Sequence, residues 1–156
     1  KNIFLIISLG WDKKIKSNII NKNKFKIINC HSGILPMYKG LALYRHCWAH
    51  FENEFGVTIH FIDKKIDNGK IIYIKKFKVS FFDSPKKILI KASEITYIAL
   101  IKSIKKLDNN YKGKKQKKGR YFLGNITFNT MIKYRIYNFF SKISGNKKKY
   151  LPFKRI

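Results

Sequence analysis

The 156-residue sequence predicts an α/β fold, an open sheet that is partly parallel with an antiparallel edge and is flanked by helices. Three observations carry that expectation. Residues 3–30 read as an apolar run, a short amphipathic stretch and a second apolar run, the strand–helix–strand unit of a parallel pair. Residues 56–79 hold two further strand-like runs whose connection is too short for a crossover, so that pair is antiparallel. Residues 85–107 carry one apolar stripe at helical spacing, long enough to cover a face of the sheet.

In chain order, residues 3–9 are an Ile-rich run closed by Gly10, as expected of a strand buried on both faces. Asp12 is suited to cap the next stretch, residues 13–20, where Ile15 and Ile19 share a helical face opposite the lysines. Asn21, Asn23 and their lysines make a polar turn, and residues 25–30 form the second strand. At its end stands Asn29-Cys30-His31-Ser32-Gly33-Ile34-Leu35-Pro36. Residues two apart in an extended segment point the same way, so Asn29 and His31 face one side while Cys30 faces the core. Pro36 stops the strand and holds Leu35 extended. An amide and an imidazole so placed can stabilise an oxyanion and manage a proton. The carboxyl ends of parallel strands are also where open α/β sheets bind ligands. On these residues alone, a strand end whose polar groups cap loose backbone accounts for the pattern equally well.

Residues 41–52 read as a helix with Tyr44, Trp48 and Phe51 as its core stripe, leaving Arg45, His46 and His50 exposed or at a pocket rim. From Gly56, the residues Val57, Ile59 and Phe61 alternate with Thr58, His60 and Ile62. His60 there reads as a satisfied sheet histidine. The loop 63–69 sets Asp67, one of only eight acidic residues, close to Gly69, which lets the chain turn sharply. Residues 70–79 form the antiparallel partner strand. Asp83-Ser84-Pro85 is a helix start, a capping side chain ahead of proline, and Ile88, Ala92, Ile95 and Ala99 run down one face until Asp108-Asn109-Asn110. Beyond residue 110, glycines among basic and aromatic residues read as loops and short strands with weak periodicity.

With 45% hydrophobic and 15% aromatic residues the chain can bury one real core. Its 35 Lys and Arg against 8 Asp and Glu give a net charge of +27, which attracts phosphate-rich partners or anionic surfaces. The lysines are spread along the chain together with many Ile and Asn, which an A+T-rich coding bias also produces. The denser tail, residues 112–155, is the better candidate for a basic patch. Two cysteines in apolar surroundings, without metal-ligand spacing, point to a reduced, cytoplasmic protein and no metal centre. No apolar run approaches the roughly 20 residues of a membrane span, so no membrane partner is expected.

The ordered set Asn29-Cys30-His31, Leu35-Pro36, Tyr38-Lys39-Gly40, Gly56-Val57-Thr58 and Asp67-Asn68-Gly69 resembles the formyltransferases that use 10-formyltetrahydrofolate. The resemblance runs from about residue 3 to the end of the long helix and fades in the tail. It implies a Rossmann-like domain in which an amine attacks the formyl carbon of the folate. Asn29 would then bond the oxyanion, His31 would act beside it as stabiliser or acid, and Asp67 would orient His31 and relay a proton. Folate would be gripped around Leu9, Gly10 and Trp11 and by backbone from Asp63 through Ile66 to Asp67. The resemblance also implies a cis bond between Leu35 and Pro36. Tyr44, Arg45 and the strand bearing His60 favour the glycinamide ribonucleotide (purine biosynthesis) or sugar-amine branches, whose acceptors are phosphorylated or nucleotide-linked amines. A methionyl-tRNA branch, or a basic RNA-binding protein with a residual triad, is the alternative. Family domains open with a further strand and glycine-rich turn that this sequence does not show. Residues 1–110 are therefore expected to be the C-terminal part of the catalytic domain, and 111–156 a basic tail of irregular structure.

Overall fold

A computed structural model describes residues 4–11, 13–21, 26–122, 124, 126–145 and 154–155. The expectations for Ile3, the cap Asp12, Asn23 and Phe25 lie outside the described residues. In chain order the elements are β1 (Leu5–Leu9), α1 (Ser17–Ile20), β2 (Lys26–His31), β3 (Lys39–Gly40), α2 (Leu43–Ala49) and β4 (Glu54–Phe61). They continue with β5 (Ile71–Lys78), α3 (Pro85–Asp108), β6 (Arg120–Phe122), α4 (Phe128–Ile143) and β7 (Lys154–Arg155).

The main sheet has the order β1-β2-β4-β5. β1 and β2 are parallel, as a crossover unit requires, while β4 runs antiparallel to both β2 and β5. This is the partly parallel sheet with an antiparallel edge that the sequence predicts. β4 is central, and every residue from Phe55 to His60 is buried, so the apolar/polar alternation read in its sequence does not mark a wet face. α3 packs on β4 and β5 through the predicted stripe, Ile88, Ala92 and Ala99 buried and Ile95 partly buried, which Leu107 extends. Ser84 caps α3 by accepting from the Lys87 N–H at 3.2 Å, with Pro85 in the first turn. Asp83 lies buried under that start, paired with Lys87 Nζ at 3.0 Å and Lys91 Nζ at 2.6 Å.

Three expectations need correction. The first concerns α2, which covers Leu43–Ala49 rather than 41–52, bounded by left-handed backbone at Ala42 (φ 51°) and Phe51 (φ 56°). Its buried face is Leu43, His46 and Cys47, with His50 following, so both histidines are enclosed rather than at a rim. Tyr44, Trp48 and Phe51 form the adjacent, half-buried stripe. These aromatics are apolar for another reason, since α4 packs beside α2 and its Met131 and Tyr134 cluster with Trp48 and Ala49.

The second is α4 itself, a sixteen-residue helix in a stretch expected to be irregular. Thr127 caps it through the Thr130 N–H at 3.3 Å. Its buried residues are Met131, Asn138 and Ser141, while Phe128, Ile136, Phe140 and Ile143 are exposed. An inward stripe that is largely polar carries no hydrophobic period, which is why the sequence did not announce the helix. Asn138 donates to the Ala49 carbonyl at 3.1 Å. The Arg135 guanidinium lies 4.0 Å from the Trp48 ring centre and 3.9 Å from that of Phe51, and bonds the Trp48 carbonyl at 2.7 Å. The third correction is α1, a four-residue turn of helix that leaves Ile15 in the preceding loop.

After α3 the chain returns to the rest of the fold. Lys114 exchanges two main-chain hydrogen bonds with Ile71, at 2.7 and 2.8 Å. Arg120 N–H donates to the Pro36 carbonyl at 3.2 Å, and β6 pairs in parallel with β3 and antiparallel to β7. No helix among the described residues is long and apolar enough to cross a membrane.

Candidate active site

The carboxyl end of β2 brings Asn29 and His31 to one side of the sheet, and β4 lies alongside in the register Asn29↔His60 and His31↔Thr58. The turn that follows β2 is fastened by Thr58, whose hydroxyl accepts from the Leu35 N–H at 3.1 Å and donates to the Gly33 carbonyl at 2.6 Å. The Leu35–Pro36 bond is cis, as the resemblance implied. At Gly33 a side chain would meet Leu43 Cδ1 at 2.6 Å and both His31 Nε2 and the Tyr38 carbonyl at 2.8 Å. Only a hydrogen there lets His31 Nε2 donate to that carbonyl, at 2.7 Å. With Nε2 committed, His31 presents Nδ1 to Asp67 Oδ1 at 3.5 Å.

Asp67 reaches this position from the β4–β5 loop with left-handed backbone, φ 49°. Its Oδ2 accepts from the Gly40 N–H at 2.8 Å, and Lys39 Nζ donates to the neighbouring Asn68 Oδ1 at 2.8 Å. Gly69 passes so close to the Phe61 carbonyl that no Cβ fits. A non-glycine residue held in a sparsely populated conformation by several converging contacts is a feature of functional sites.

His60 is the member that sequence reasoning missed. Its Nδ1 donates to its neighbour's carbonyl, Phe61 O, at 2.7 Å, so a neutral ring offers Nε2 as acceptor to Asn29 Nδ2 at 3.3 Å. Burial, and then the proximity of His31, push His60 down to about 4, so it is neutral at physiological pH. That fixes the Asn29 amide with Nδ2 toward His60 and leaves its second N–H available. Asp67 Oδ1 lies 3.8 Å from His60 Nε2, so both imidazoles flank one carboxylate oxygen. The pairing slips between Ile59 and His60, and such bulges re-aim side chains beside functional sites. The usable sequence signal was that His60 stands two residues beyond Thr58, on the same side of β4, but placing it opposite Asn29 requires the register.

These groups open on a cavity of about 760 Å³. Asn29, His31, His60 and Asp67 line it, as do Leu9, Gly10, Trp11, Asp63 and Ile66, so every site residue picked from the sequence faces one space. Lys13, Lys14, Lys64 and Lys65 line it as well. Chemically the arrangement offers an amide donor, an imidazole that can take or release a proton at Nδ1, and a carboxylate beside it. Both cysteines are free and buried, and burial pushes the Cys30 thiol up to about 11, which leaves it a packing residue rather than a nucleophile. Among the described residues no group of three or more His, Cys, Asp or Glu could hold a metal.

Comparison with known proteins follows from this geometry. A family model described as formyl transferase matches residues 2–104. Phosphoribosylglycinamide formyltransferase of Haemophilus influenzae is 30% identical over 93 residues, covering 60% of this chain and 44% of the relative. Methionyl-tRNA formyltransferase of Endomicrobium trichonymphae is 31% identical over 85 residues, covering 54% of this chain and 27% of the relative. Among solved structures, an N-formyltransferase from Helicobacter canadensis, crystallised with folinic acid and dTDP-3-aminofucose, superposes with a TM-score of 0.66 at 31% identity. That match covers 75% of this chain and 44% of the other. The chain thus spans less than half the length of each of these relatives.

Proposed function

Because this chain belongs to the formyl transferase family, we propose that it transfers the formyl group of 10-formyltetrahydrofolate to a primary amine, with Asn29, His31 and Asp67 as its catalytic residues. The observation that carries the reading is the approach of His31 Nδ1 to Asp67 Oδ1, 3.5 Å, beside Asn29 on the wall of one large cavity.

The amine attacks the formyl carbon, a C–N bond forms, and the carbonyl oxygen becomes an oxyanion. Asn29 donates to that oxygen, and His31 supplies the second donor once the amine's proton has reached its Nδ1; preorganised donors of this kind are each worth about 3 kcal/mol in the transition state. The amine's proton passes by way of His31 and Asp67 to the folate nitrogen as the old C–N bond breaks. His60 stays neutral and orients Asn29. Leu9, Gly10 and Trp11 and the loop residues Asp63, Ile66 and Asp67, which all line the cavity, would hold the formyl donor.

Lys13, Lys14, Lys64 and Lys65 on the cavity wall favour an anionic acceptor, a phosphorylated or nucleotide-linked amine. The glycinamide ribonucleotide branch, which serves purine biosynthesis, or the sugar-amine branch fits that chemistry best, in a cytoplasmic setting consistent with two free thiols. The net charge of +27 favours methionyl-tRNA as the second reading.

The test is to incubate the protein with 10-formyltetrahydrofolate and, in turn, glycinamide ribonucleotide, a dTDP-amino sugar and methionyl-tRNA, following tetrahydrofolate release and the mass of the formylated product. Transfer to one acceptor is expected, with His31→Ala and Asp67→Asn abolishing it in variants that still melt cooperatively. No transfer to any of the three would sink the reading, and near-normal turnover by either variant would sink the assignment of roles.

A further inference from the structure

Gln116 lies on the segment between α3 and β6, past the residues that the family model matches. Its Nε2 donates to the main-chain carbonyl of Asp67 at 3.1 Å and to that of Gly69 at 2.7 Å. One side-chain amide therefore uses both of its N–H groups to bridge the two ends of the Asp67-Asn68-Gly69 turn. Its own Oε1 is buried and has no hydrogen-bond partner among the described residues. The two donated bonds are what hold this side chain against the turn.

The segment is itself anchored on both sides of Gln116. Upstream, Lys114 is paired with Ile71 at the start of β5. Downstream, Gly119 approaches the Pro36 carbonyl so closely that no Cβ fits, and Tyr121 and Phe122 pair with Lys39 and Gly40. Residues 114–122 thus form a strap from β5 to β3, and β3 carries the Gly40 N–H that donates to Asp67 Oδ2. Asp67 needs such support, because its left-handed φ of 49° is disfavoured for a residue with a Cβ. Gln116 does not line the cavity, so it acts only through the turn.

We propose that Gln116 is a positioning residue: by bridging the Asp67 and Gly69 carbonyls it holds the turn in the conformation that aims the Asp67 carboxylate at the Gly40 N–H and at His31. Its effect on turnover rests on the formyl-transfer reading; its effect on the turn does not.

The experiment compares wild-type protein with Gln116→Ala and with Gln116→Glu, which keeps the shape but cannot donate. Hydrogen exchange at the Gly40 amide is followed by NMR, with the amides of β2 and β4 as internal references and thermal melts to establish that the variants fold. Gly40 is expected to exchange at least about tenfold faster in both variants while the references hold. In turnover, kcat is expected to fall by on the order of 10²-fold with little change in KM for the formyl donor, since a carboxylate displaced by about 1 Å loses that much. Unchanged Gly40 exchange in both folded variants overturns the proposal, whatever turnover does. If the wild-type protein transfers no formyl group, the function reading fails on its own, and faster Gly40 exchange would still uphold the role of Gln116 in the turn.

Discussion

Acid should destabilise this fold in a window set by one histidine. His60 is 2% exposed on the central strand, and its pKa lies at about 4 against an ordinary 6.5. Burial is the main cause and His31 the next, opposed by the Phe61 carbonyl and by Asp67 and Asp63. A histidine depressed in the folded state binds its proton more readily when the chain is unfolded, so stability is intact above about pH 6.5 and falls as the pH drops toward 4. With those two values the loss at about pH 4.5 is about 2.5 kcal/mol, a large part of the stability of a small domain. The perturbation is His60→Gln, which keeps an acceptor for Asn29 but cannot take the proton. Urea unfolding of both proteins should be measured from about pH 7.5 to about pH 4.5, where the wild-type curve should fall below the variant's by roughly the amount above. Asp83, held well below the ordinary carboxylate range chiefly by its bond to Lys91, weakens only below its ordinary 3.8, outside the window. Parallel stability curves for the two proteins would refute the argument that His60 is neutral and buried at the site.

Three further outcomes follow from contacts already described. Thr58→Val keeps the shape but strips partners from the buried Leu35 N–H and Gly33 carbonyl, so chemical denaturation should show a loss of about 2 kcal/mol or more. Gly33→Ala drives a methyl between His31 Nε2 and the Tyr38 carbonyl, so kcat should drop by about tenfold or more and the melting temperature should fall as well. Arg135→Ala removes the guanidinium from between Trp48 and Phe51 and its bond to the Trp48 carbonyl. The α4 amides should then exchange faster than those of β4, and overall stability should fall by about 1–3 kcal/mol.

How much of this was readable beforehand depends on how local the cause is. Asn29 and His31 were legible because strand alternation alone puts residues two apart on one side, and α3 because a cap, a proline and an apolar stripe are written within its own residues. Asp67 stood out as a rare acid near a glycine. His60 was seen but set aside, because its place opposite Asn29 depends on strand register and on a slip in that register after Ile59. His46 and His50 lie off the aromatic stripe and so read as exposed or at a pocket rim, and only the presence of α4 explains why a second apolar stripe exists on α2. α4 was invisible for the opposite reason, since Asn138 and Ser141 occupy its inward face. Gln116 acts on residues 47 and 49 positions away, a relation no local pattern encodes.

The return of the chain after α3 sets a practical limit on how the protein can be cut. The family model's match stops at residue 104, yet Phe122 stacks on Tyr38 at 4.9 Å, and the Tyr38 carbonyl accepts from His31 Nε2. A shortened version ending where the alignment ends would retain Asn29, His31 and Asp67 while discarding the ring behind one of them and the amide behind another. The boundary to respect in expressing, swapping or grafting this site is where the polypeptide last touches it, and that lies past the end of the family model's match.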